Sequence, residues 1–152
     1  MPIIEITSNS SEETKKAGIA LAATLEKEPF KINQALVIAL EGDLGSGKTT
    51  FIQGMATGLS IKENVLSPTF VIQKDFSLSV GNYKNLYHID AYRLKSSEEL
   101  LELGFSDLIK NPENIIVIEW ADKVKDILPK NILKIEFKNL GEDKRKITLK
   151  TK

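Results

Sequence analysis

The octapeptide Gly42-Asp43-Leu44-Gly45-Ser46-Gly47-Lys48-Thr49 satisfies every fixed position of the phosphate-loop pattern G-x-x-x-x-G-K-[ST]. Such a loop constrains the fold because it works only between a strand and a helix, and both are legible here. Ala35-Leu36-Val37-Ile38-Ala39-Leu40 is an unbroken apolar run of strand length, and Thr49-Thr50-Phe51-Ile52-Gln53-Gly54-Met55 opens a helix. The glycines let successive backbone N–H groups turn inward onto phosphate oxygens, and the helix N-terminus adds a favourable dipole. Lys48 reaches the β- and γ-phosphates, and the Thr49 hydroxyl can ligate Mg²⁺. Thr50 closes the loop as a further phosphate neighbour. The motif in this setting implies a nucleoside triphosphate as ligand.

Around this centre the chain reads as alternating strands and helices. Ile3–Thr7 forms a short strand, and Ser10-Ser11-Glu12-Glu13 then has the form of a capping box. A helix follows to about Glu26, with Ala17, Ala20, Leu21 and Leu25 placed on one face. The P-loop helix ends near Gly58. The segment 65–70 is a loop leading into a half-buried strand, Val71–Phe76, and a turn over Val80–Tyr83 returns it as Asn85–Asp90. Ser96-Ser97-Glu98-Glu99 opens a second short helix through Leu103, which Gly104 terminates. Ile115–Ile118 is a second fully apolar strand ending in Glu119-Trp120, and a short helix precedes Pro129. Strands at Ile132–Phe137 and Arg145–Leu149, joined by a turn at Gly141, close the chain. Apolar central strands with crossover helices and terminal hairpins indicate a three-layer α/β P-loop NTPase fold. Its sheet is mixed, mainly parallel in the centre with antiparallel edge strands.

At 152 residues the chain is one domain of ordinary size, residues 1–152, and without cysteine it has neither disulfides nor thiolate metal sites. No apolar run approaches the ~20 residues of a membrane span, and the N-terminus lacks the basic and apolar parts of a signal peptide, so the expected location is cytoplasmic, away from membranes. Acidic and basic residues balance at 21 each, which argues against a freestanding grip on DNA or RNA; any involvement with RNA is expected to run through a partner protein. All but two of the 21 basic residues are lysine. Arg93 and Arg145 therefore suggest positions wanting a planar, bidentate fork, the alternative being a place on a solvated face.

A nucleotide–metal site needs a carboxylate at the C-terminal end of a strand near the P-loop. Asp90 and Glu119 both end strands, Glu119 after four aliphatics in the manner of a Walker B acid. One would hold the metal while the other positions or deprotonates the attacking water, and the residues alone do not allot the roles. Thr69 lies where switch threonines sense a γ-phosphate. His88, the sole histidine, reads as packed or hydrogen-bonded rather than as a base, and Trp120 either joins the core or an interface or covers the nucleotide.

Absent parts narrow the class. No aspartate after the P-loop has glycine three residues on, and no asparagine precedes lysine, so the chain lacks the guanine-reading motifs of a GTPase. The Ser-Gly-Gly signature of transporter ATPases is missing, and two arginines do not supply a kinase lid. A compact ATPase remains, with a small-molecule kinase or a non-hydrolysing nucleotide-dependent module as alternatives.

Taken together, these segments resemble the TsaE (YjeE) family of small bacterial P-loop ATPases. The resemblance rests on Glu41–Thr50, Ser67-Pro68-Thr69-Phe70, Tyr87-His88-Ile89-Asp90-Ala91-Tyr92-Arg93-Leu94, Glu98-Glu99-Leu100 before Gly104, and Ile118-Glu119-Trp120. It spans nearly the whole chain, from Ser11-Glu12-Glu13-Thr14 to the Gly141–Arg145 end. It implies an energy-coupling role, with ATP and Mg²⁺, in forming N6-threonylcarbamoyladenosine (t6A) beside the anticodon of tRNAs that read codons starting with A. The implied partners are TsaD and TsaB. It further implies that Thr49 and Glu119 bind the metal, that Asp90 is needed for activity, and that Ser10 and Ser11 lie near the adenine. Arg145 is grouped with the nucleotide-binding residues. Many members have Trp-Pro where this chain has Trp120-Ala121.

Overall fold

The computed structural model describes residues 3–27, 33–43, 45–62 and 72–151. In chain order the elements are β1 (Ile3–Ser8), α1 (Ser11–Lys27), β2 (Leu36–Gly42), α2 (Lys48–Gly58), β3 (Gln73–Val80), β4 (Tyr83–Asp90), α3 (Ser97–Glu102), α4 (Phe105–Lys110), β5 (Asn114–Glu119), a 3₁₀ segment (Ala121–Ile127), β6 (Leu133–Gly141) and β7 (Lys144–Thr151). The seven strands form one sheet in the order β1-β7-β6-β2-β5-β4-β3. Strands β6, β2, β5 and β4 run parallel, and antiparallel pairs flank them on both sides.

The apolar runs explain the layering. Successive side chains of a strand point to opposite faces, so a strand buried on both sides must be apolar throughout. Leu36, Ile38 and Leu40 of β2 join Ile115 and Val117 of β5 in a core covered by α1 and α2. The alternate residues Val37, Ala39, Ile116 and Ile118 join a second core with Leu100 of α3, Phe105 of α4 and Val124 of the 3₁₀ segment. Helices thus cover both faces, giving the three layers expected.

Several local expectations need correction. In α1 the buried residues are Thr14, Gly18, Ala22 and Leu25, while Ala20 is exposed and Ala17 and Leu21 are only half-buried. The reason is the closeness of α2. An ideal Cβ on Gly18 would fall 2.2 Å from the Phe51 carbonyl oxygen, and one on Gly54 would fall 2.0 Å from that of Lys15. The two backbones touch where neither residue has a side chain, and this rotates the small-residue stripe inward. The first capping box is real in part: the Glu13 N–H donates to Ser10 Oγ (3.1 Å). At the second, Ser96 makes no side-chain cap bond, and Glu99 instead accepts from the Lys95 N–H (3.4 Å). Helix α4, six residues between Gly104 and Asn111, was not anticipated. Strand β3 begins and ends later than expected, and β6 extends to Gly141. The loop at 65–70, with Thr69, and Val71 lie outside the described residues, as does Leu44.

Candidate nucleotide site

Parallel strands bring their C-terminal ends to one edge of the sheet, where a crevice forms at the loops. Here β2 runs directly into the P-loop, and β5 and β4 lie beside it in register, with Leu40 paired to Glu119 and Glu119 to Asp90. Both carboxylates therefore stand in one row at the loop's side. The P-loop, the first turn of α1, the ends of β4 and β5 and the β6–β7 turn enclose a cleft of ≈ 410 Å³.

Gly47 adopts φ 99°, ψ 8°, a left-handed conformation that glycine takes without a Cβ penalty, and it caps α2 without a side chain. The helix thus opens with first-turn N–H groups suited to an anion. Ser46 is buried, and its Oγ has no hydrogen-bond partner among the described residues. An orphaned hydroxyl costs free energy unless something completes it, and it lines this cleft. A phosphate oxygen bound in the cleft would supply the missing acceptor.

Lys48 is buried and donates to the carbonyl oxygens of Gly42 and Asp43, the latter at 2.9 Å. Its Nζ sits 4.1 Å from the centre of the Trp120 ring, a cation–π distance. Burial pushes its pKa below the ordinary lysine value, and the charges of Glu119, Asp43, Asp90 and Asp122 oppose that shift. The lysine is thus folded back on its own loop, electrostatically poised for an anion.

Thr49 Oγ1 donates to Glu119 Oε1 at 3.4 Å. The other carboxylate oxygen, Glu119 Oε2, lies 2.7 Å from Nε2 of the fully buried His88. Asp90 is half-buried and accepts from the Tyr92 N–H at 3.0 Å. Burial raises its pKa above the ordinary aspartate value; the Tyr92 hydrogen bond works against this and the Glu119 charge adds to it. No cluster of three or more acidic, histidine or cysteine side chains able to hold a metal occurs among the described residues. Two hard oxygens from Thr49 and Glu119 fit Mg²⁺, which takes few protein ligands and completes its octahedron with phosphate and water.

Most of the expected residues meet in this cleft. Gly45, Ser46, Gly47, Lys48, Thr49, Thr50, Asp90, Glu119, Ser11 and Arg145 all line it. Ser10 does not; it caps α1 and bonds to Ser8 instead. Asp43 contributes its backbone carbonyl to Lys48. The Arg145 guanidinium is engaged with Asn139 Oδ1 (3.1 Å), the Glu142 and Lys144 carbonyls, and the Gly45 carbonyl of the P-loop (3.1 Å). It latches the β6–β7 turn onto the loop. Trp120, in a left-handed conformation (φ 59°), packs half-buried between Lys48 and Tyr92, whose ring lies 5.0 Å away. Thr14, Tyr92 and Asp143 also line the cleft and were not singled out as site residues. Tyr92 carried a signal in its place two residues beyond Asp90. Asp143 carried none, because only the hairpin's fold brings it a hundred residues back to the loop.

The family model described as "Threonylcarbamoyl adenosine biosynthesis protein TsaE" matches residues 8–147. The chain belongs to the TsaE family. It is 42% identical over 112 residues to the tRNA threonylcarbamoyladenosine biosynthesis protein TsaE of Bacillus subtilis, covering 74% of this chain and 67% of that protein. It is 34% identical over 143 residues to the TsaE of Treponema pallidum, covering 93% of this chain and 96% of that one. Among solved structures it resembles the YdiB crystal structure from Bacillus subtilis, with TM-score 0.74 and 33% identity over 97% of this chain and 84% of that chain. No helix among the described residues of this TsaE-family chain is long and apolar enough to cross a membrane.

Proposed function

We propose that this single-domain chain is a Mg²⁺-dependent, cytoplasmic ATPase whose hydrolysis serves t6A formation in tRNA, acting with TsaD and TsaB. One observation carries the reading above the rest. Thr49 and Glu119 meet at 3.4 Å beside the phosphate loop, with Asp90 in register next to Glu119. When bound, Mg²⁺ would neutralise developing charge on the phosphoryl oxygens. Thr49 and Glu119 would hold it, and Lys48 would leave the Gly42 and Asp43 carbonyls for the β- and γ-phosphates. Ser46 Oγ and the first N–H groups of α2 would complete the cradle. Asp90 would receive the proton of the attacking water, a role suited to a carboxyl whose proton affinity burial has raised. The balanced charge favours action on protein partners, so that tRNA is reached through the complex.

The test is replacement in bacteria depleted of their own TsaE-family protein, reading the t6A content of bulk tRNA by mass spectrometry. The unaltered chain should restore t6A, and Glu119→Ala or Asp90→Ala should not. Variants that bind ATP, do not hydrolyse it and still restore full t6A would shift the reading to a nucleotide-dependent switch.

A further inference from the structure

We propose that His88 is a positioning residue for the metal-holding carboxylate of Glu119; this rests on the reading of the cleft as an ATP–Mg²⁺ site. Strand register explains the spacing His88-x-Asp90. Residues two apart share a sheet face, so His88, Asp90 and Glu119 all project toward the α1–α2 side. Asp90 pairs laterally with Glu119, while His88 pairs with Val117, two residues before Glu119. His88 is thus the diagonal neighbour of Glu119, within reach of a long side chain. The spacing delivers two different groups to one carboxylate: an aspartate beside it and an imidazole behind it.

The hydrogen bonding fixes what the imidazole does. His88 is fully buried, Nε2 lies 2.7 Å from Glu119 Oε2, and Nδ1 is buried with no partner among the described residues. A carboxylate only accepts, so Nε2 carries the proton and donates. One donor therefore pins Oε2 and turns Oε1 toward Thr49 Oγ1 (3.4 Å). Glu119 cannot swing away from the metal position without breaking its bond inside the core. Hydrogen-bonded partners of metal ligands typically contribute 10–100-fold to metal affinity or activity, and that sets the scale.

The test compares His88→Gln, whose amide nitrogen can take the place of Nε2, with His88→Met, equal in length but without a donor. Mn²⁺ affinity is read by electron paramagnetic resonance on full-length protein holding a non-hydrolysable ATP analogue, and analogue affinity without metal is read separately. His88→Met should lose at least tenfold in Mn²⁺ affinity with metal-free analogue binding unchanged, and His88→Gln should stay within about threefold of the parent. A folded His88→Met that binds Mn²⁺ like the parent overturns the proposal. If His88→Met does not fold, His88→Gln decides: parent-like Mn²⁺ affinity supports positioning, and a tenfold loss in the folded variant overturns it. Failure of the unaltered chain to bind the Mn²⁺–analogue pair would instead remove the ATP–metal reading itself, and this proposal with it.

Discussion

Gly18→Ala should destabilise the protein although alanine is the better helix former. The added methyl would lie 2.2 Å from the Phe51 carbonyl oxygen and 2.8 Å from the Met55 nitrogen, where ordinary contact begins at 3.4 Å. Both obstacles are backbone, so no rotamer change relieves them, and α1 must withdraw from α2 by roughly the 1 Å that separates these distances. Overpacking of this kind costs about 1–3 kcal/mol and occasionally more. Helix propensity returns about 1 kcal/mol. With the clash near the top of its range, the net loss is about 2 kcal/mol, which lowers the Tm of a domain this size by about 4–8 °C. Thermal and urea unfolding followed by circular dichroism measure it, with Ala20→Gly on the exposed face of the same helix as the propensity control. Because Ser11 and Thr14 of α1 line the cleft, nucleotide affinity should fall as well. A Gly18→Ala protein melting at or above the parent temperature would refute the direct backbone packing of α1 on α2.

Other substitutions address the cleft. Burial raises the Asp90 pKa, so hydrolysis that needs its carboxylate should decline as pH falls through a midpoint above the usual aspartate range. Stability has the opposite sign: folded Asp90 holds its proton more readily than unfolded Asp90, so its contribution is complete below the unfolded pKa and is lost as pH rises through the raised value. Asp90→Asn should therefore abolish hydrolysis yet melt no lower than the parent at neutral pH; a drop of several degrees would contradict the raised pKa. Arg145→Lys should lose the fork joining Asn139, Glu142, Lys144 and Gly45, lowering stability by about 1 kcal/mol at this solvent-exposed site and loosening the P-loop. Melting curves with and without nucleotide check it, and an unchanged curve in both would show that the latch carries no weight.

What could be read from residues alone was whatever strand alternation and fixed spacing encode. The run before Gly42 placed β2, and the aliphatics before Glu119 placed β5. Register then brought Asp90 beside Glu119, because both close strands of the parallel set. The inner face of α1 was misread because counting apolar side chains overlooks Gly18, whose value lies in having none. Helix α4 was missed because six residues give less than two helical turns of periodicity. The Arg145 latch and the placing of Asp143 at the cleft depend on a hairpin folding over the P-loop from the far end of the chain, and no local pattern specifies such a contact. His88 was legible as a hydrogen-bonded residue, but its partner became visible only through the β4–β5 register.

The central measurement is ATP hydrolysis by the purified chain alone and with a TsaD–TsaB pair, in Mg²⁺. Weak turnover alone, rising sharply with the pair and lost in Glu119→Ala, is the expected result. Turnover unchanged by the pair while the protein binds ATP would contradict a partner-coupled ATPase built on this cleft.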